Sequence, residues 1–194
     1  VTLLIGVSGW AQAGKDTLAG LIAAQPGWHV LHFADKLREA CRALNPYVGF
    51  HPRGTRWRWV EMEAELGYEG AKNHPGFGDE FRRVMQNMGT EVGRNIFGPN
   101  IWVDATLNSM RPDDMGCVLA DVRFPNEAQA ITTRGGINVR VSRPGIGPQS
   151  NHASEMSLNS WPFDIRVTND GTPEDMLAKF NDRIRNMQGG PFGS

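Results

Sequence analysis

The chain has 194 residues, enough for one substantial hydrophobic core, so one domain with an inserted subdomain is the economical reading rather than two independent domains. Its 20 basic and 21 acidic residues nearly cancel, which argues against an extended nucleic-acid footprint or a polyanionic tail and leaves any charged substrate to be met by local arginines. Cys41 and Cys117 are the two cysteines, each in a largely apolar segment, which fits reduced thiols in or near a core and not a disulfide framework.

The first predicted element is a strand, the apolar run Leu3 to Val7. Gly9-Trp10-Ala11-Gln12-Ala13-Gly14-Lys15-Asp16-Thr17 follows it, and Leu18, Ala19, Leu21 and Ile22 then recur at helical spacing. Strand, glycine-bearing turn and helix in that order aim backbone N–H groups and the positive end of the helix at a phosphate chain, with the Lys15 ammonium reaching the outer phosphates. Gly9, Ala11, Gln12, Ala13, Gly14, Lys15, Asp16 and Thr17 are therefore the candidate nucleotide-binding residues. The general motif has Ser or Thr after the lysine, where this chain has Asp16.

Trp28 to Phe33 reads as a second strand, leading into a helix from about Asp35 to Leu44 that Asp35 can cap and Asn45-Pro46 stops. Between Gly49 and Gly78 the chain turns polar, aromatic and glycine-rich, with a short helix near Trp59 to Leu66, and is the least core-like stretch. The segment Phe50 to Arg94 is too long for a simple crossover. It carries Arg53, Arg56, Arg58, Arg82, Arg83 and Arg94 with Trp57, Trp59, Tyr68 and Phe77, a mixture suited to a nucleotide-monomer pocket. Single-stranded nucleic acid is the competing ligand, and the balanced total charge argues against it. Phe81, Val84, Met85, Met88, Val92 and Ile96 mark an apolar helical face, while Arg83, Asn87, Thr90 and Arg94 line another.

Gly98-Pro99-Asn100 breaks that helix, and a further one runs from Ile101 to Met110 with Trp102 on it. Cys117 to Ala120 has no polar alternation, as in a central parallel strand covered on both faces, and Asp121 stands at its carboxyl end. A helix from about Asn126 to Thr133, a strand from Ile137 to Val141, a glycine- and proline-rich mobile loop from Arg143 to Gln149, a short helix from His152 to Leu158, a strand from Phe163 to Thr168 and a helix from Pro173 to Arg185 complete the chain. Strands separated by helices specify an α/β fold with a parallel sheet, whose ligands lie beyond the carboxyl ends of the strands. Asp121 there can hold Mg²⁺ or cap the next helix, and Arg123 can clamp a phosphate or form a surface ion pair. Arg143 is the stronger candidate of Arg140 and Arg143 for an arginine on a closing loop, because Arg140 lies within a strand pattern; a solvated charged loop is the alternative. His152 and Glu155 share a helical face, either as site residues or as a cap and a local pair.

At this point the chain resembles the deoxynucleoside monophosphate kinases of bacteriophages, within the P-loop nucleotide kinases. The resemblance rests on Gly14-Lys15-Asp16-Thr17, His32-Phe33-Ala34-Asp35-Lys36-Leu37, Gln86 to Arg94, Trp102, Asp121-Val122-Arg123-Phe124-Pro125-Asn126-Glu127 and His152-Ala153-Ser154-Glu155. Asp16 is usual in that group. The resemblance implies a P-loop fold with an adenylate-kinase-like five-stranded parallel core, a monophosphate-binding insertion and a lid. It also implies transfer of the ATP γ-phosphoryl to a deoxynucleoside 5′-monophosphate (dNMP), with ATP and Mg²⁺ required. The expected roles are Lys15, Arg123, Arg143 and Asp121 in catalysis, Asp16 and Asp121 at the metal, and Asp35, Arg83, Asn87, Thr90, Arg94, Trp102, Arg123, His152 and Glu155 at the acceptor.

Residues 1–188 are expected to form a single kinase domain, with core segments 1–48, 98–142 and 161–188, an insertion at about 49–97, a lid at about 143–160 and a flexible tail at 189–194. The chain shows no signal segment and no apolar run of membrane-spanning length, so a cytoplasmic protein with no membrane or nucleic-acid-polymer partner is expected; a homodimer stays open. Two alternatives remain: a P-loop kinase of a small metabolite, such as phosphomevalonate or dephospho-coenzyme A, and a non-catalytic nucleotide-binding switch. The chain has no Asn-Lys-x-Asp run that would specify guanine for the latter.

Overall fold

The computed structural model describes residues 3–52, 54–111, 113–148 and 156–188. In chain order its elements are β1 (Leu3–Gly9), α1 (Lys15–Ala23), β2 (Trp28–Leu31), α2 (Phe33–Leu44), β3 (Tyr47–Phe50), β4 (Arg56–Arg58), α3 (Trp59–Lys72), α4 (Gly78–Gln86), a π-helical segment (Asn87–Phe97), α5 (Ile101–Leu107), β5 (Gly116–Ala120), α6 (Pro125–Thr133), β6 (Ile137–Ser142), β7 (Ile165–Thr168) and α7 (Pro173–Gln188). They fall into two compact units, Val1–His32 with Ser109–Ser194, and Phe33–Asn108. The second unit includes α2 and α5 as well as the elements between them.

The first unit is an α/β layer structure around a five-stranded parallel sheet in the order β2-β5-β1-β6-β7. Every residue of β5 is buried, as its unbroken apolar run requires of a central parallel strand. Ile5, Val7, Val118, Val139 and Val141 from the strands pack with Leu18 and Ile22 of α1 and Met176 and Phe180 of α7. β2 stops at Leu31 and β7 begins at Ile165, each about two residues short of the stretch their apolar pattern suggests. Helix α6 starts on Pro125, and the Glu127 carboxylate accepts the N–H groups of Arg123 (2.8 Å) and Phe124 (3.1 Å). Among the described residues no helix is long and apolar enough to cross a membrane.

The second unit overturns the expectation that the stretch from Gly49 to Gly78 is the least core-like. β3 and β4 form an antiparallel hairpin whose buried Val48 and Trp57 face inward, and they pack with Cys41, Trp59, Met62, Ala71 and Phe81. Trp59 is fully buried and stacks on Phe81 with 3.6 Å between ring centroids and 15° between planes. The polar residues that dominate the composition lie on the outer faces, so average polarity concealed a periodic apolar set. Helix α3 runs to Lys72, bending at Gly67, whose φ of 69° breaks helical geometry. Asp35 does not cap α2: the helix opens two residues earlier, at Phe33, and the Asp35 carboxylate accepts from Arg38 at 3.2 Å inside the first turn.

The apolar stripe Phe81 to Ile96 is also corrected. Its first residues pack inward, but from Asn87 the helix widens to i→i+5 bonding, which changes the angular step per residue and rotates later side chains off the α-helical stripe. Val92 is exposed and Ile96 is 69 % exposed, while Gly89 and Gly93 occupy the buried side. The Trp102 indole fills the space those glycines leave: its Nε1 donates to the Gly89 carbonyl at 2.9 Å, and a Cβ on Gly93 would stand 2.6 Å from the ring. Gly93→Ala is therefore expected to displace the indole and destabilise this unit by about 1–3 kcal/mol, read as a lowered denaturation midpoint.

Cys41 and Cys117 are free and buried. Burial pushes both thiols up from 9.0 to about 11, with the nearby Asp114 carboxylate adding to the rise at Cys117. The folded chain thus holds these protons more tightly than the unfolded one. Their contribution to stability is complete below the ordinary thiol value and is lost as pH climbs towards the folded value. Alkylation at pH 8 should be slow in the native protein and fast in guanidinium chloride; rapid native labelling of both would contradict this.

Candidate active site

The phosphate loop owes its shape to two left-handed residues that bracket buried Ala13, namely Gln12 (φ 64°) and Gly14 (φ 100°). Helix α1 begins at Lys15 with Gly14 as its N-cap and no capping side chain, so no side-chain oxygen takes up its first N–H groups, an arrangement suited to an anion. The Ala13 N–H donates to the Trp10 carbonyl at 3.1 Å, closing the turn. Gly9 sits where a Cβ would come 2.7 Å from the Val141 carbonyl, which fixes a glycine at the point where β1 enters the loop. Ala11 lies in that turn, and Asp16 and Thr17 are exposed on the first turn of α1.

Lys15 is only 7 % exposed, an unusual state for a lysine, and two carboxylates compensate it. Its Nζ lies 3.4 Å from Oδ1 of Asp121 and 3.8 Å from Oδ2 of Asp16. Asp121 occupies the carboxyl end of β5 with φ 67°, a left-handed conformation uncommon for a non-glycine residue. Its other oxygen accepts a hydrogen bond from Arg123 Nε at 2.7 Å and lies 2.6 Å from Nη2 of the same guanidinium in an ion pair. Helix α6 takes its cap from Glu127, so Asp121 is not the cap that the sequence offered as an alternative. Arg123, Asp121, Lys15 and Asp16 thus form one chain of alternating charge beside the loop.

Arg143 is exposed and opens a turn in which its carbonyl accepts from the Ile146 N–H at 3.1 Å. Arg140 is a buried residue of β6; its guanidinium donates to Ser8 Oγ at 3.1 Å and lies over the Trp10 ring, 5.0 Å from the centroid. Asn169, which the sequence reading passed over, donates from Nδ2 to the Ala13 carbonyl at 3.0 Å. Its signal was its place directly after the last strand, at the edge where ligand-facing residues of a parallel sheet accumulate.

Within the second unit, Arg83, Asn87, Thr90 and Arg94 are all exposed, with Arg83 on α4 and the other three on the π-helical segment. Arg83 holds the Glu80 carboxylate at 2.5 and 2.8 Å, and that guanidinium keeps the Glu80 carboxyl below its ordinary range. Asp35 pairs with Arg38, and Trp102 underlies Gly89 and Gly93 as described. His152 and Glu155 lie outside the described residues, as does Arg53. Among the described residues no three His, Cys, Asp or Glu side chains converge in the manner of a protein-only metal site.

The family model for deoxynucleotide monophosphate kinases matches residues 78–180, just over half of the chain. A protein of Acanthamoeba polyphaga mimivirus that bears the family's name is 30 % identical over 189 residues, spanning 91 % of this chain and 93 % of its own length. The deoxynucleotide monophosphate kinase of Escherichia phage RB69 is 32 % identical over 110 residues, covering 54 % of this chain and 44 % of the phage protein. That of Enterobacteria phage T4 is 29 % identical over 108 residues, or 54 % of this chain and 45 % of the phage protein, so the chain spans under half the length of these two relatives. With the phosphate loop and parallel sheet already in place, these matches show that the chain is a P-loop kinase and belongs to the deoxynucleotide monophosphate kinase family.

Proposed function

We propose that the protein transfers the γ-phosphoryl of ATP to a dNMP, giving ADP and the deoxynucleoside diphosphate. The observation that carries this reading is the buried Lys15 ammonium, held between Asp16 and Asp121 at the head of α1, in a chain of this family. An oxygen of the acceptor phosphate attacks the γ-phosphorus, the bond to the β,γ-bridging oxygen breaks, and its electron pair leaves on ADP. No catalytic base is needed, because the attacking oxygen is already anionic at neutral pH; positioning and charge neutralisation carry the reaction.

In this reading the loop from Gly9 to Thr17 cradles the donor phosphates and Lys15 offsets charge on the β and γ groups. Mg²⁺ would neutralise the phosphate charge further. It takes one or two carboxylates and completes its shell with phosphate oxygens and water, a role the hard oxygens of Asp16 and Asp121 fit. Thr17 donates to an α- or β-phosphate oxygen. Arg123 stays with the fixed sheet, whereas Arg143 meets the phosphates on closure of its loop. Asp35, Arg83, Asn87, Thr90, Arg94 and Trp102, together with His152 and Glu155, are assigned to the acceptor.

A coupled ADP-release assay against the dNMPs, phosphomevalonate and dephospho-coenzyme A tests the reading. Turnover with at least one dNMP, abolished by EDTA and restored by Mg²⁺, is expected; turnover only with a small metabolite, or none with any acceptor, would overturn it. Arg94→Lys keeps the charge but loses the planar bidentate fork, so calorimetry should show dNMP binding weakened more than ATP binding. Equal losses would remove Arg94 from the acceptor site.

A further inference from the structure

Beyond the carboxyl end of β7, Asn169 reaches the phosphate loop, its Nδ2 donating to the Ala13 carbonyl at 3.0 Å. The approach is close enough that a Cβ on Gly14 would stand 2.4 Å from the same nitrogen. Asn169 is itself well anchored. Its N–H donates to the Ser142 carbonyl at 2.7 Å, and Lys179 ties down the Thr168 carbonyl at 3.2 Å and the Asp170 carboxylate. Thr172 and Asp175 then exchange reciprocal bonds of 2.9 and 3.2 Å to start α7.

The carbonyl and the N–H of one trans peptide point in opposite directions. By drawing the Ala13 carbonyl towards itself, Asn169 turns the Gly14 N–H, the other half of that peptide, to the opposite side of the loop. Without that bond the left-handed Gly14, which has little intrinsic preference of its own, could let the peptide rotate and present an oxygen to the ligand. We propose that Asn169 is a positioning residue for the donor nucleotide, locking the Ala13–Gly14 peptide so that its N–H, and not its carbonyl, meets a phosphate oxygen. The assignment rests on reading the loop from Gly9 to Thr17 as the phosphate cradle. It explains why a carboxamide, a donor without charge, suits a site next to a polyanion: the shape-matched aspartate would repel both the carbonyl and the phosphates.

The test compares Asn169→Ala and Asn169→Asp with the unsubstituted protein in calorimetric binding of ATP and of tripolyphosphate, alongside the unliganded thermal midpoint and KM for a dNMP. Both ligands should bind about tenfold more weakly to Asn169→Ala, as expected for one lost orienting bond, and more weakly still to Asn169→Asp. KM for the acceptor should not change. A purely structural role would lower the thermal midpoint and raise the acceptor KM along with both dissociation constants. That pattern, or wild-type affinity for both ligands in both variants, overturns the assignment. If the unsubstituted protein binds neither ATP nor tripolyphosphate, the phosphate-loop reading and this assignment fall together; if it binds both and the variants match it, only the assignment falls.

Discussion

Lys15→Met should lower kcat/KM for phosphoryl transfer by on the order of 10²–10³, corresponding to about 3–4 kcal/mol of lost transition-state stabilisation. The size follows from burial. An exposed lysine would be screened by water, but Lys15 is enclosed by its loop and works at a lower effective dielectric, where a preorganised charge counts for more. Methionine preserves the length and most of the volume, so packing beneath the loop should survive. It also leaves Asp121 with Arg123 as its cationic partner, and that remaining pair limits the cost of the uncompensated carboxylate. Single-turnover kinetics with a circular dichroism check of folding would decide the matter. A folded Lys15→Met protein with near-normal turnover would remove Lys15 from the catalytic set.

Trp59→Ala should cost about 3–5 kcal/mol of stability, the largest structural effect expected of a single truncation in the second unit. The indole is fully buried, faces the Phe81 ring at stacking distance, and sits where β4 passes into α3. Truncation would open a cavity bordered by residues from three helices and the hairpin, too many neighbours for the space to collapse cheaply. Hydrogen exchange of residues 33–108 would show protection falling there first, before the sheet of the other unit. Uniform loss across both units, or no loss, would contradict the assignment of Trp59 as the keystone of a separate core.

The parallel sheet was legible because fully buried strands have a simple signature: Cys117 to Ala120 is apolar without alternation and admits few other readings. The phosphate loop was legible because glycine, lysine and position relative to a strand express one mechanism. The second unit was not. Its core comes from single apolar residues spaced along a polar background, Val48, Trp57, Trp59 and Met62, whose shared inward face appears only once the hairpin exists. The π-helical segment defeated a periodicity argument that assumes 3.6 residues per turn throughout. Asn169 was missed for another reason: its place after the last strand marked it only as a strand-end residue, and its partner Ala13 lies 156 positions away in sequence.

The two sequestered thiols have a practical consequence for watching the protein at work. A maleimide probe needs an accessible thiolate, and neither native cysteine offers one. Probes can therefore be attached without first stripping the native sulfurs. Gly20→Cys lies on an exposed turn of α1, where an added Cβ meets nothing within 4 Å, and Ala64→Cys lies on the exposed side of α3. Together they would give one spectroscopic label on each unit, and the distance between the labels could be followed as nucleotides are added.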